Sequence, residues 1–367
     1  MTYLEKLFEN YEFKCKPLGE VASINRGRRV TKKELSNDKK YPVYSGGVKP
    51  MGYFDEYNQN ENTITIVKYG TAGFINFINE KFWANDVCYC VTPSIVLNNK
   101  FLYYFLKNQQ EHINSLATDA IPAHLPTESI NAVLIPIPPL EIQQKIVAIL
   151  DSFTELTAEL TAELTARKKQ YEYYRDSLLN FDNKLINWSL LGDVCDVFTG
   201  GEPPQNSIKG DSPTEKHKYP IFGNGAEIYG YADSFRIDKD AVTISSIGAN
   251  TGTIYYRQAF FTPIIRLKVV IPKTDKLLPR FLFHFLVSIK ITSKSSSVPN
   301  MNAADVKKIK IPMISIQEQE KIAQILDKFD TLTTSLAEGL PKEIELRKKQ
   351  YEYYRDMLLS FPKKETA

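Results

Sequence analysis

Apolar positions along the chain follow two spacings, and the same succession of spacings occurs twice. Short β-branched runs, NTITIVKYG at Asn62–Gly70 and DAVTISSIG at Asp240–Gly248, end in glycine as strands running into turns do. KFLYYFLKNQQEHINSL from Lys100 and RFLFHFLVSIKITS from Arg280 carry apolar residues at helical spacing. A long helix then follows in each half. Pro136, Pro138 and Pro139 stand before the first and Pro312 before the second, as expected near helix starts. From Leu140 to Leu179 there is no proline or glycine; about 40 residues rising 1.5 Å each make a rod of roughly 60 Å. Ile146, Leu150, Phe153, Leu156, Leu160 and Leu164 form one apolar stripe, and Ile322, Ile325, Phe329, Leu332 and Leu336 form the other. Gly339 and Pro341 predict a break in the second helix.

The halves are related by duplication. RKKQYEYYRD occurs at Arg167–Asp176 and again at Arg347–Asp356. Upstream, IPIPPLEIQQKIVAILDSF (Ile135–Phe153) aligns with IPMISIQEQEKIAQILDKF (Ile311–Phe329), with nine identities in nineteen positions. Weaker matches continue: Tyr41–Tyr57 with Tyr219–Phe235, Leu18–Val21 with Leu191–Val194, and Lys100–Leu106 with Arg280–Leu286. The layout predicted is a globular part over 1–138, a helix over 139–181, a second globular part over 182–313, a second helix over 314–361 and a tail over 362–367. Two such stripes in one chain are expected to pack on each other, most simply as an antiparallel coiled-coil pair with pseudo-twofold symmetry. The fold class expected is α+β, with two mixed α/β domains separated by the helices. Near-identical helices beside divergent globular parts suit one shared task and two different ligands of one type.

The first helix carries TAEL in tandem, at Thr157–Leu160 and Thr161–Leu164. A tetrapeptide adds about 6 Å and about 400° of turn. One unit more or less therefore keeps the leucines on nearly the same stripe and rotates the rest of the helix by about 40°. A plain spacer of good helix formers fits the same residues.

Composition adds few constraints. The 367 residues suggest two or three domains, and 43% hydrophobic with 24% charged residues suffices for cores. A net charge of +3 does not by itself point to nucleic acid. There is no signal-like start and no apolar run near the roughly 18 residues of a membrane span, so a cytoplasmic protein without membrane contact is expected. Cys15, Cys88, Cys90 and Cys195 have no zinc spacing and read as buried, reduced thiols. His112, His124, His217 and His284 are scattered, with no nucleophile–base pair and no metal-ligand spacing. No G-x-x-x-x-G-K-[ST] phosphate loop occurs, and neither Pro138-Pro139-Leu140 nor Pro203-Pro204-Gln205 fits an adenine-methyltransferase motif.

The order globular–helix–globular–helix, the IPxPPLxxQxKI segment at Ile135–Ile146, the RKKQYEYYRD ends and the TAEL units together resemble the specificity subunits of type I restriction-modification systems, over essentially the whole chain. The second approach, IPMISIQEQEKI, lacks the double proline but keeps Gln319, Lys321 and Ile322. The resemblance implies a non-catalytic subunit whose two target-recognition domains each read half of a split, asymmetric site in double-stranded DNA. It implies that the helices set the unread gap and dock two methyltransferase (modification) subunits, with restriction (motor-nuclease) subunits joining the complex. It implies no cofactor in this chain, with S-adenosylmethionine, ATP and Mg on the partner subunits. Three other readings compete: a recognition subunit of a methyltransferase-nuclease that is not type I, a coiled-coil protein scaffold, and a stand-alone enzyme acting on DNA.

Under that resemblance the candidate DNA contacts in the first half are Asn25, Arg26, Arg28, Arg29, Lys32 and Lys33, after the strand-like VASI, then Ser45 and Lys49 in one glycine loop and Lys68 and Tyr69 in another. In the second half they are Thr199, Asn224, Ser245, Ser246 and Asn250, a far less basic set that predicts a different half-site. Solvated basic loops and ordinary turns would look the same in sequence. Candidate docking residues are Arg167, Lys168, Tyr171, Tyr174 and Arg175, and their repeats Arg347, Lys348, Tyr351, Tyr354 and Arg355. A charged helix end packing through its tyrosines is the plainer reading of the same segment.

Overall fold

A computed structural model describes residues 14–181, 185–248, 250–289, 301–335 and 338–361. Leu336, the tail over 362–367 and the end of the RFLFHFLVSIKITS run lie outside the described residues. The chain forms two compact units. One joins the residues up to Leu160 with those from Ile344 onward; the other is Thr161–Glu343.

In the first unit an antiparallel sheet runs in the order Ala22–Arg26, Cys88–Pro93, Thr63–Val67, Ile75–Ile78. Beside it Tyr41–Tyr44 pairs antiparallel with Tyr53–Phe54 and parallel with Trp83–Ala84. Helix Asn99–Asn108 covers the large sheet; Asn98 caps it by accepting a hydrogen bond from Phe101 N at 3.1 Å. The helical run from Lys100 is not continuous, because a separate helix, Gln110–Ser115, begins after Gln109.

The second unit repeats this plan. Its sheet order is Cys195–Thr199, Lys268–Pro272, Ala241–Ile244, Ile254–Arg257, and Tyr219–Phe222 pairs parallel with Thr262–Pro263. Helix Pro279–Ser288 covers this sheet, with proline in its first turn.

The long helix spans Leu140–Leu178. The second is divided as its glycine and proline predict, into Ile316–Thr334 and Leu340–Leu359, with Gly339 in the left-handed region at φ +87°. Each long helix is fixed at its start by one fully buried glutamine. Gln143 Oε1 accepts from Asn98 N at 2.7 Å, while its Nε2 donates to Val96 O and Pro138 O at 3.0 and 2.7 Å. Gln319 does the same with Leu278 N, Lys276 O and Ile314 O at 2.9, 2.9 and 3.0 Å. A buried amide is tolerated only when so satisfied. Two turns on, Asp151 receives Lys100 Nζ at 2.7 Å and Tyr104 Oη at 2.6 Å. Asp327 receives Arg280, with His284 Nε2 at 2.6 Å. Burial alone would raise the Asp327 carboxyl, but the hydrogen bonds from His284 and Arg280 hold it below its ordinary value.

The stripes are buried unevenly. Ile146 and Leu150 are fully buried, and Phe153 to Leu164 are half-buried. In the second helix Ile325 is 40% exposed, and Leu326 takes the buried position expected of it. Ile322, Leu326, Phe329 and Thr333 follow the 4–3–4 spacing of one face, and Ile325 falls on its flank.

The duplicated decapeptides use their tyrosines for internal packing. In the first unit Tyr354 stacks on Phe153, with ring centroids 5.3 Å apart, and Tyr351 lies against the core beside buried Leu358 and Leu359. In the second unit Tyr174 stacks on Phe329 at 5.4 Å and Tyr171 packs with it. Offset stacking of this kind adds about 0.5–1.5 kcal/mol to burial. Lys168, Tyr173, Lys348 and Tyr353 point to solvent.

Cys88, Cys90 and Cys195 are buried and free, and burial raises all three thiols, Cys88 and Cys195 to about 12. Cys15 is exposed, contrary to the expectation of a buried thiol, because it lies on the two-stranded ribbon Lys14–Pro17 with Leu134–Ile137.

Candidate nucleic-acid interface

In the first unit the turn Trp83–Cys88 gathers the candidate loops. Gly27 N donates to Cys88 O at 3.1 Å and Arg28 N to Ala84 O at 2.9 Å. Trp83 Nε1 donates to Arg28 O at 2.7 Å. The buried Asn85 side chain brackets Val30, accepting from its N at 3.3 Å and donating to its O at 3.1 Å. Asn85 N donates to Tyr44 O at 2.9 Å, just before the Ser45–Lys49 loop, and Lys68 N donates to Val87 O at 2.8 Å. The two glycine loops meet where Thr71 N donates to Gly46 O at 2.9 Å.

Gly27 permits this closeness, since a Cβ there would lie 2.2 Å from Ala84 O. The backbone is thus held while the side chains stay free. Asn25, Arg26, Arg28, Arg29, Lys32, Lys33 and Lys49 are exposed, and Ser45 is half-buried. Among the described residues, none of Arg26, Arg28, Arg29, Lys32 and Lys33 is in an ion pair. The next carboxylate, Glu34, is engaged by the hydroxyl and N–H of Thr31 at 2.7 and 2.8 Å, which lower it below its ordinary value. Lys68 is half-buried, its ammonium 5.4 Å from the ring centroids of both Tyr69 and Tyr89, and Tyr69 stacks on His124 at 5.6 Å.

The second unit builds the same cluster on corresponding backbone bonds. Gly200 N donates to Leu267 O at 2.7 Å, Ile264 N to Phe222 O at 2.9 Å, and Leu267 N to Ile264 O at 3.1 Å. A Cβ at Gly200 would lie 2.7 Å from the carbonyl carbon of Pro263. The side chains differ throughout. Where the first unit has Gly46, Lys68 and Asp86-Val87, the second has Asn224, Ser246 and Ile265-Arg266.

Several residues expected to face DNA here are occupied internally. Ser245 and Ser246 are fully buried; Ser245 Oγ donates to Asn224 O and Ser246 Oγ to Arg266 O, both at 2.6 Å. Asn224 accepts from Ser246 N at 2.7 Å and donates to Ile265 O. Thr199 is exposed, but its Oγ1 accepts from Lys268 Nζ at 3.3 Å. Asn250 is exposed in a turn where its carbonyl accepts from Thr253 N at 2.9 Å.

Sequence reasoning missed the residues that hold these loops. Asn85 and Trp83 do so in the first unit. In the second, buried Arg257 donates to Gly225 O and Ala226 O at 3.0 and 3.2 Å and lies 3.8 Å over the Phe222 ring; burial pushes it down to about 10. Lys268 is likewise lowered, by burial and then by the charge of Arg266. For Arg257 the available signal was a cation ending the aromatic strand Ile254–Arg257, and it is weak.

No helix among the described residues is long and apolar enough to cross a membrane, and none of their His, Cys, Asp and Glu side chains form a group that could hold a metal.

Comparison with known proteins accords with this duplicated plan. Residues 10–167 and 186–346 both match the type I restriction modification DNA specificity domain. A type I restriction enzyme specificity subunit from Escherichia coli is 34% identical over 414 residues, covering 100% of this chain and 99% of that protein. A putative type I restriction enzyme specificity subunit from Haemophilus influenzae is 35% identical, covering 98% of each. The crystal structure of a type I restriction-modification S subunit from M. genitalium shares the fold, with a TM-score of 0.76 at 22% identity over 99% of this chain and 100% of that one. With both halves matched and near full-length relatives beside them, this chain belongs to the type I restriction-modification DNA specificity family.

Proposed function

We propose that the chain gives a restriction-modification complex its DNA address, each unit's loop cluster reading one half of a split, asymmetric site. One observation carries this: the two clusters share their backbone bonds and differ in the side chains set on them. A common frame with different contact chemistry is what reading two different short sequences requires. In the first unit Arg26, Arg28, Arg29, Lys32 and Lys33 serve phosphates, and Asn25, Ser45, Lys49, Lys68 and Tyr69 lie beside the bases. In the second, Asn224, Ser245 and Ser246 shape the surface and Thr199 and Asn250 border it.

The recognition domains are residues 1–138 and 182–313, and the segments 139–181 and 314–361 are the spacers. Arg167, Lys168 and Arg175, with Arg347, Lys348 and Arg355, give two modification subunits identical docking strips, the neighbouring tyrosines being partly engaged within the chain. Methyl transfer, cleavage and translocation reside in the modification and restriction subunits, which carry S-adenosylmethionine, ATP and Mg; this chain contributes no catalytic group.

The test is to purify the chain with its modification subunits and map adenine methylation on genomic DNA. A split motif that depends on the chain is expected. Deleting Thr161–Leu164 should change the gap and leave both half-sites intact. A complex that forms but methylates without a split motif would overturn the reading.

A further inference from the structure

The tip of the second loop cluster is built unlike its counterpart. Ile265 and Arg266 are both in the left-handed region, at φ +52° and +59°. Neither is glycine, asparagine or aspartate, the residues that adopt this conformation readily, and Ile265 is β-branched. Such residues persist only where their surroundings hold them. Here both backbone N–H groups and both carbonyls are bonded. Ile265 N donates to Gly201 O at 2.9 Å and Arg266 N to Gly200 O at 3.2 Å. Ile265 O accepts from Asn224 Nδ2. Arg266 O accepts from Ser246 Oγ at 2.6 Å and from the buried Lys268 Nζ at 3.2 Å.

Two polar side chains distant in sequence, Asn224 and Ser246, and the nearby Lys268 thus fix two residues whose own side chains are exposed. Among the described residues no hydrogen bond or ion pair engages the Arg266 guanidinium. The matching pair in the first unit, Asp86-Val87, is half-buried and has no positive φ.

We infer that Arg266 is a specificity-determining residue of the second recognition domain, reading a guanine through O6 and N7. The inference rests on the functional reading above. A held backbone with a free guanidinium suits bidentate recognition of two acceptors on one base edge, and guanine presents that pair in the major groove. Asn224, Ser246 and Lys268 are then positioning residues that aim the arginine.

The experiment methylates a DNA library with the complex of this chain and its modification subunits, the second half-site randomised. The parent complex should yield a split motif with a G·C pair in the second half. Arg266→Gly keeps a residue at ease at positive φ while removing the guanidinium. Its unfolding midpoint should equal or exceed the parent's, while discrimination at that one pair falls roughly 5- to 150-fold. Arg266→Lys, which keeps charge but loses the planar fork, should relax the same position. If the parent gives a motif that Arg266→Gly leaves unchanged, this inference fails and the wider reading stands. A uniform loss across all sequences would make Arg266 a phosphate contact and also overturn it. If the parent gives no split motif, the wider reading itself fails, and this inference with it.

Discussion

Replacing Asn85 by alanine tests whether the basic loop of the first unit is held as described. The side chain is 5% exposed and brackets Val30, itself 4% exposed, with bonds of 3.3 and 3.1 Å. It also accepts from Asp86 N at 2.8 Å. Each neutral bond contributes about 1 kcal/mol net, and a buried N–H left without a partner costs about 1–3 kcal/mol. The truncation should therefore destabilise the unit by about 2–4 kcal/mol. At about 2–4 °C per kcal/mol, a loss of about 3 kcal/mol lowers the unfolding midpoint by roughly 6–12 °C. Calorimetry of the full chain measures this. The second effect is functional: with Val30 released, the segment carrying Arg28 and Arg29 loses its fixed course, so methylation by the complex should lose fidelity in one half-site only. Asn85→Asp retains an acceptor for Val30 N but loses the donor to Val30 O, and should also be destabilised. A midpoint within about 1 °C of the parent together with an unchanged motif would refute the reasoning, because the bracket would then hold nothing that matters.

Other consequences are open to measurement. If Arg28 touches a phosphate, Arg28→Ala should reduce the slope of log K against log salt by about 0.9 without altering the recognised sequence; an unchanged slope in a binding titration would remove Arg28 from the interface. Iodoacetamide at pH 8 should label Cys15 in the native chain but not Cys88, Cys90 or Cys195, since burial raises all three and leaves Cys88 and Cys195, at about 12, ionised to roughly one part in ten thousand there; mass spectrometry of native and urea-treated protein checks it. The folded chain holds Asp327 below its ordinary 3.8, so its contribution to stability is complete above about pH 5 and disappears as pH falls below about 4. Asp327→Asn should flatten urea midpoints over that window, and an unaltered pH profile would count against the cluster.

The duplication, the long helices, the interruption near Gly339 and the strands over Asn62–Gly70 and Asp240–Gly248 were legible because each is a local or self-repeating pattern. The features that were not legible depend on contacts between residues far apart in sequence. Ser245 and Ser246 look like loop residues, and only bonds to positions 224 and 266 bury them. Asn85 has the composition of a turn residue, and its bracket on Val30 spans a separation of 55 residues. Ile265 has the sequence signature of a strand residue, yet bonds to two distant partners, Gly201 O and the Asn224 amide, hold it in a left-handed tip. Ile325 satisfies a helical stripe as well as Leu326 does, and only the packing partner distinguishes them.

The buried glutamine and the aspartate two turns later have a consequence for how recognition domains can be exchanged. Both long helices offer one socket: an amide that closes on a backbone N–H and two carbonyls, and a carboxylate that takes donors from the helix packed on it. Because the amide addresses main chain, it does not distinguish Asn98 from Leu278. Because the carboxylate accepts lysine with tyrosine as readily as arginine with histidine, the arriving helix is free to vary its donors. The mounting is therefore generic, while the loop clusters of the two units differ in their side chains. A domain transplanted from one socket to the other should bring its address with it, and new specificities could arise by recombination between modules without any redesign of the frame.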